Sequence, residues 1–174
     1  MEFDMKRVFL MIVLLLLIFS TSCAVQKGFK IVEKPTDSSN GFISTDVLQM
    51  SGVGYPSPST IDPDKLKVES FAAAVINARM RVFDYLLSEL KGDNPEKFMA
   101  LIQRIGQFSA ARYEPIYSKE LVTGGNKVDA IFETLGLKGY VHKKQYDKKT
   151  KRTSVVYRII RAGLVNKARN GFSD

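Results

Sequence analysis

A nucleophilic hydrolase sets a Ser or Cys beside a base, usually His. This chain offers one thiol, Cys23, and one imidazole, His142. His142 lies in the run GYVHKKQY, among lysines and with no acid next to it to orient the ring. A surface strand residue is the simpler account of it. A zinc site wants three or four Cys, His or carboxylate ligands at set spacing, which one His and one Cys do not supply. Gly52-Val53-Gly54 invites comparison with a phosphate loop, but the third glycine and the following Lys-Ser or Lys-Thr are missing. Close approach of a strand to a helix backbone is the expected use of that pair. Glycan hydrolysis needs two carboxylates facing one cleft, whereas Asp62 and Asp64 stand where they would cap a helix. Arg79 and Arg81 flank Met80, so one of them is expected half-buried against Asp84 or a free backbone carbonyl, a structural role. No catalytic residue, metal ligand or cofactor site is expected, and an enzyme is disfavoured.

The thiol has a different chemistry open to it. Val8 to Phe19 is an unbroken apolar run of twelve residues, preceded by Lys6 and Arg7. A membrane-crossing helix needs about 20 apolar residues, so the run suits the core of a signal peptide instead. Glu2 and Asp4 are unusual there, and a start at Met5 gives a cleaner signal. Ser20, Thr21 and Ser22 then lead into Cys23. Small residues directly before a cysteine resemble the lipobox of bacterial lipoproteins, although Ser20 stands where that pattern usually has Leu. The resemblance implies cleavage between Ser22 and Cys23 and transfer of a diacylglycerol to the Cys23 thiol. The acyl chains, at about 0.8 kcal/mol per buried methylene, would anchor the chain stably. Ala24 next to the cysteine is compatible with sorting to the outer membrane. The alternative is an ordinary secretory signal with an incidental cysteine.

Charge is unevenly placed along the chain, which carries a net +8. Lys138 to Arg169 holds eleven Lys or Arg and one acid, Asp147, while Cys23 to Leu137 holds thirteen Lys or Arg against fourteen acids. An exported protein seldom meets nucleic acid, so the basic segment points to lipid head groups, anionic glycan or an acidic protein face. Lys143, Lys144, Lys148, Lys149, Lys151 and Arg152 are the candidate contacts. A merely solvated hairpin is the alternative.

The elements that must position these residues are legible in outline. Residues 24–45 show no periodicity and read as a flexible tether following the lipidated Cys23. A strand is expected at 46–53, ended by a Gly and Pro cluster. Asp62-Pro63 opens a long helix to Leu90, stopped by Gly92. Two apolar rows, Val68-Phe71-Val75-Ala78-Val82-Leu86 and Ala72-Ile76-Met80-Phe83-Leu87-Leu90, make it a helix buried on most sides. The polar row is Ser70, Asn77, Arg81, Asp84, Ser88 and Lys91. Asn94-Pro95 opens a second helix with Phe98, Leu101, Ile102, Ile105 and Phe108 on one face, ending before Pro115. ELVTGGNK reads as a loop with a turn at Gly124-Gly125, and Asn126 to Leu135 as a short helix closed by Gly136. GYVHKKQYDKKTKRTSVVYRII reads as a hairpin with Tyr140, His142, Lys144 and Tyr146 on one face. A last short helix falls within 161–169. The expected fold is therefore α+β, with a long buried helix and shorter helices on a small antiparallel sheet, in a single domain at 46–170.

The strand ending in Gly52-Val53-Gly54, the helix stretch AAAVINARMRVFDYLL with its Ala78-Arg79 and Leu86-Leu87, and the closing strands GYVHKKQY and SVVYRI share an order. Behind a lipobox, that order resembles the bacterial LPP-twenty lipoprotein family. The likeness covers roughly 46–160 and is carried by the first half; Asp93 to Gly136 is longer and more helical than the family pattern. It implies a small α+β domain, attachment at the cell envelope, and a structural or assembly role without catalysis. Some relatives are outer-membrane lipoproteins tied to flagellar assembly and motility. Partners would be the membrane, through the lipid, and envelope proteins or further copies of the chain.

Overall fold

Caps and breakers set the element order in the computed structural model, which describes residues 29–105 and 115–172. The elements are β1 (Gly41–Phe42), β2 (Val47–Gly54), α1 (Pro63–Asp93), α2 (Pro95–Ile105), α3 (Lys119–Thr134), β3 (Gly139–Asp147), β4 (Arg152–Ile160) and α4 (Leu164–Arg169). The four strands form one antiparallel sheet in the order β1-β2-β4-β3. α1 lies across one face of it, and α2 and α3 pack against α1. The expected α+β architecture, with its long buried helix on a small antiparallel sheet, is the one found.

α1 starts as its sequence dictates. Asp62 accepts hydrogen bonds from the amides of Asp64 (2.9 Å) and Lys65 (3.4 Å), and Pro63 occupies the first turn. Ala73, Ala74, Ala78, Met80, Val82, Phe83, Leu86 and Leu90 are buried. Small residues let the sheet come close. A Cβ on Gly52 would stand 2.7 Å from the Ala78 Cβ, and one on Gly54 would overlap the Ser70 carbonyl and the Ala74 amide. The G-x-G of β2 is thus a packing device, as its sequence suggested. Leu48, Met50, Val155, Tyr157 and Ile159 fill the same interface from the sheet.

Two residues of α1 depart from the expected rows. Val68 is 67% exposed, and Ser70, placed on the polar row, is fully buried. Ser70 Oγ meets Thr153 Oγ1 at 2.7 Å, a hydroxyl pair between helix and sheet. The interface is polar at that one point, and apolar periodicity along α1 carries no sign of it. α1 also runs through Gly92, where no stop occurs. Asn94 makes the break: its amide donates to the Leu90 carbonyl (2.8 Å), and its Oδ1 caps α2 through the Lys97 amide (3.2 Å).

Other boundaries shift as well. ELVTGGNK is not a loop. Ser118 Oγ accepts from the Leu121 amide at 3.1 Å and starts α3 at Lys119, so Gly124-Gly125 is helical. Gly125 lies against Ile76 of α1, where a Cβ would come 2.9 Å from Ile76 Cδ1; the missing side chain lets the two helices meet. In β3 a bulge at His142 shifts the register, so Tyr140 falls on the face away from α1 while Lys144 and Tyr146 fall on the α1 face. Phe108 lies outside the described residues.

The largest correction concerns the tether. Phe29 and Phe42 are 3% and 0% exposed and belong to the core, stacked edge to face at 5.2 Å and flanked by Tyr85. Residues 29–42 form a strap: Phe29 and Phe42 pack with Tyr85 of α1, while residues 36–39 lie over the face of the sheet away from α1. Gln49, buried on that face, donates to the carbonyls of Thr36 (2.8 Å) and Ser39 (2.9 Å), and its Oε1 accepts from Arg158 Nε (2.8 Å). At the other end Phe172 is also buried. Phe29, Phe42 and Phe172 thus pack into the same core as the elements between 46 and 170.

Candidate functional site

The basic hairpin was the candidate contact, and the structure divides its six cations into three settings. The β3–β4 register sends Lys143 to the face away from α1, where its Nζ stands 2.6 Å from Asp37 Oδ2 of the strap. That contact holds the Asp37 carboxyl below its ordinary value, through the hydrogen bond from Lys143 and then its charge. Lys144 points the other way, with Nζ 5.2 Å from the centre of the Phe71 ring. Lys148, Lys149, Lys151 and Arg152 remain together at the turn, all exposed and with no ion pair among the described residues.

The turn is held by local hydrogen bonds. Asp147 Oδ1 accepts from the Lys149 amide (2.9 Å), and its Oδ2 accepts from the Thr150 hydroxyl (2.7 Å). Those bonds, the Thr150 hydroxyl foremost, keep the Asp147 carboxyl below its ordinary value. Lys151 takes φ 55°, the left-handed conformation that reverses the chain. The one acid of the basic segment thus holds the turn by hydrogen bonds, and none of the turn cations forms an ion pair with it or with another acid among the described residues.

Beside the strap, the same face of the sheet carries a groove of about 270 Å³, lined in part by Asp37, Ser51, Val53, Lys143, Gln145 and Ser154. Its one ammonium is neutralised by Asp37, and its floor is valine and hydroxyl. His142 sits at the bulge, exposed, with its ring 6.4 Å from that of Tyr140.

Arg79 is the half-buried arginine. It pairs with Asp129 of α3, not with Asp84, while its Nε donates to Tyr157 Oη at 3.3 Å. Its guanidinium lies over the rings of Tyr157 (5.3 Å) and Phe132 (5.7 Å), joining α1, α3 and β4. Arg81 instead reaches the Ser51 carbonyl at 2.8 Å. Both arginines act on structure. Asp129, fifty residues from its partner, had no signal in the sequence, and neither did the Asp37–Lys143 contact.

Cys23 and Ser22 lie outside the described residues. Among the described residues no cluster of three or more His, Cys, Asp or Glu is placed to hold a metal, and no helix is long and apolar enough to cross a membrane. No family model, curated protein or solved structure matches this chain. The chemistry on offer at the hairpin is charge and hydrogen bonding.

Proposed function

We propose that the chain is a bacterial envelope lipoprotein, held by a diacylglycerol on Cys23 at the outer membrane, with a structural or assembly role and no catalytic activity. The observation that carries this reading is the order Lys6-Arg7, apolar run, Ser20-Thr21-Ser22, Cys23. The α+β domain behind it agrees with the fold that the LPP-twenty resemblance implies, and an association with the flagellum and motility is the corresponding partner hypothesis. Because Phe29 is already in the core, an anchor on Cys23 could lie at most roughly 20 Å of chain from the domain. That would seat the domain against the membrane surface and not at the end of a long tether.

Palmitate labelling in the native host tests the anchor. The wild-type chain is expected to take the label and partition with outer membrane, and a Cys23→Ser chain to lose both. Label on neither chain would leave an ordinary secretory signal. Crosslinking in intact cells tests the role: a small reproducible set of envelope proteins, or copies of the chain itself, is expected, and a random sample of abundant lipoproteins and porins would remove the assembly reading.

A second reading is favoured by the four exposed cations at the turn, none in an ion pair among the described residues: an envelope module that binds anionic glycan or lipid. Salt separates the two, since contacts made by exposed charges weaken steeply from low to moderate ionic strength, whereas a packed protein interface persists.

A further inference from the structure

The sheet has two outer edges, and the protein treats them differently. β1 covers only two residues of β2. Past it, side chains and residues 115–117 take up outward backbone groups of Ser51, Val53 and Tyr55. Asn40 Oδ1 accepts from the Ser51 amide (2.7 Å), Arg81 donates to the Ser51 carbonyl (2.8 Å), and Asn77 Oδ1 accepts from the Val53 amide (3.2 Å). The Tyr55 amide donates to the Pro115 carbonyl (2.6 Å), and the Tyr117 amide to the Tyr55 carbonyl (2.9 Å). β3, at the far side, pairs with β4 alone, and among the described residues nothing closes its outer edge.

Alternation fixes which groups are open. Ser51 and Val53 aim their amides away from β4, so Met50, Gly52 and Gly54 aim theirs toward it, opposite Tyr157, Val155 and Thr153. Ser154 and Val156 then point to β3, where they oppose Gln145 and Lys143. Lys144 and Tyr146, which alternate with these, turn their N–H and C=O outward. The bulge at His142 ends the regular stretch on one side and the turn ends it on the other.

We infer that the β3 edge from Lys143 to Asp147 is a docking strand for an extended acidic peptide, which adds to the sheet as a further strand. Backbone groups of Lys144 and Tyr146 supply the pairing. Lys148, Lys149, Lys151 and Arg152, exposed beside the edge, supply the charge complement. The same cations argue against a second copy of this chain in that place, because edge-to-edge pairing would set like charges together. This inference deepens the binding role proposed above and rests on that role, not on the lipid; palmitate labelling reports the anchor alone and crosslinking reports the assembly alone.

The test is a titration of the isotope-labelled full-length chain, read by amide NMR and hydrogen exchange. The probe is a peptide of about ten residues alternating Glu and Val. Two controls are the same peptide N-methylated at every residue and inorganic polyphosphate. The first peptide is expected to protect the Lys144 and Tyr146 amides at least about tenfold, and the N-methylated one to bind at least about tenfold more weakly. Polyphosphate is expected to move only resonances of the turn. Lys149→Glu, at an exposed position, is expected to weaken the first peptide without altering the fold. Equal binding of the N-methylated peptide, or binding that leaves the Lys144 and Tyr146 amides unprotected, would overturn the proposal in favour of a simple polyanion site. Absence of binding would overturn it outright.

Discussion

Single residues set how closely helix and sheet approach, and Gly54 is the tightest of them. Its missing side chain is replaced by the backbone of Ser70, Ala73 and Ala74, and backbone does not move aside as a side-chain tip does. Gly54→Ala is therefore expected to destabilise the fold by about 3 kcal/mol, read as a drop in the urea midpoint at unchanged slope; an unchanged midpoint would mean that the interface is looser than described. Tyr85 offers a test by pH. Burial, and then the charge of Glu89, push its phenol up to about 12 from an ordinary value of 10.0. Between those values the unfolded chain gives up the proton and the folded chain keeps it. The contribution is whole below pH 10 and is lost as pH rises through about 12. Wild-type stability is expected to fall over that window more than that of Tyr85→Phe, in urea unfolding at pH 9 and pH 11. Equal falls would assign the slope to other groups. The G-x-G pair was legible in sequence because glycine has few uses in a strand. The Arg79–Asp129 and Lys143–Asp37 contacts were not, since each joins residues that only the tertiary fold brings together.

At the level of elements, local chemistry marked most starts and few stops. Asp62-Pro63 and Asn94-Pro95 announced two helices because side-chain caps and Pro leave a local signature. The start of α3 was missed because its Ser118 cap precedes a Gly-Gly pair, which in isolation favours a turn; contact with Ile76 of α1 overrides that preference. Asn94 shows how closely two elements can share a residue. Its amide closes α1 and its side chain opens α2. Asn94→Ala removes the second function and keeps the first. It is expected to cost about 1 kcal/mol, with the loss in hydrogen exchange confined to the first turn of α2. Protection lost along α1 as well would show that the junction couples the two helices. The fold class was legible from such patterns; the bulge in β3, which decides which lysines share a face, was not, because strict alternation hides one inserted residue.

Seen whole, the molecule has its N-terminal strap built into the core, and this changes where the domain would stand relative to a membrane. A segment without helical or strand periodicity read as a tether, yet its Phe29 and Phe42 are buried in the core. Phe42 packs against Phe29 and Tyr85, and Phe42→Ala is expected to cost about 3–5 kcal/mol; a loss under about 1 kcal/mol would return residues 29–42 to the role of a tether. The linker then follows by subtraction. From Cys23 to Phe29 an extended chain spans at most roughly 20 Å, whereas a tether lasting to residue 45 would span on the order of 75 Å. Neutron reflectometry of the lipidated full-length chain on a supported bilayer distinguishes these directly. With the anchor at Cys23 and the strap in place, protein density is expected to begin within about 20 Å of the head groups, and a linker of several Gly-Ser repeats inserted before Phe29 is expected to move it outward. A solvent gap wider than about 20 Å in the unmodified chain cannot be bridged from Cys23 while Phe29 stays in the core, so it would require either the strap to leave the domain or the anchor to lie elsewhere.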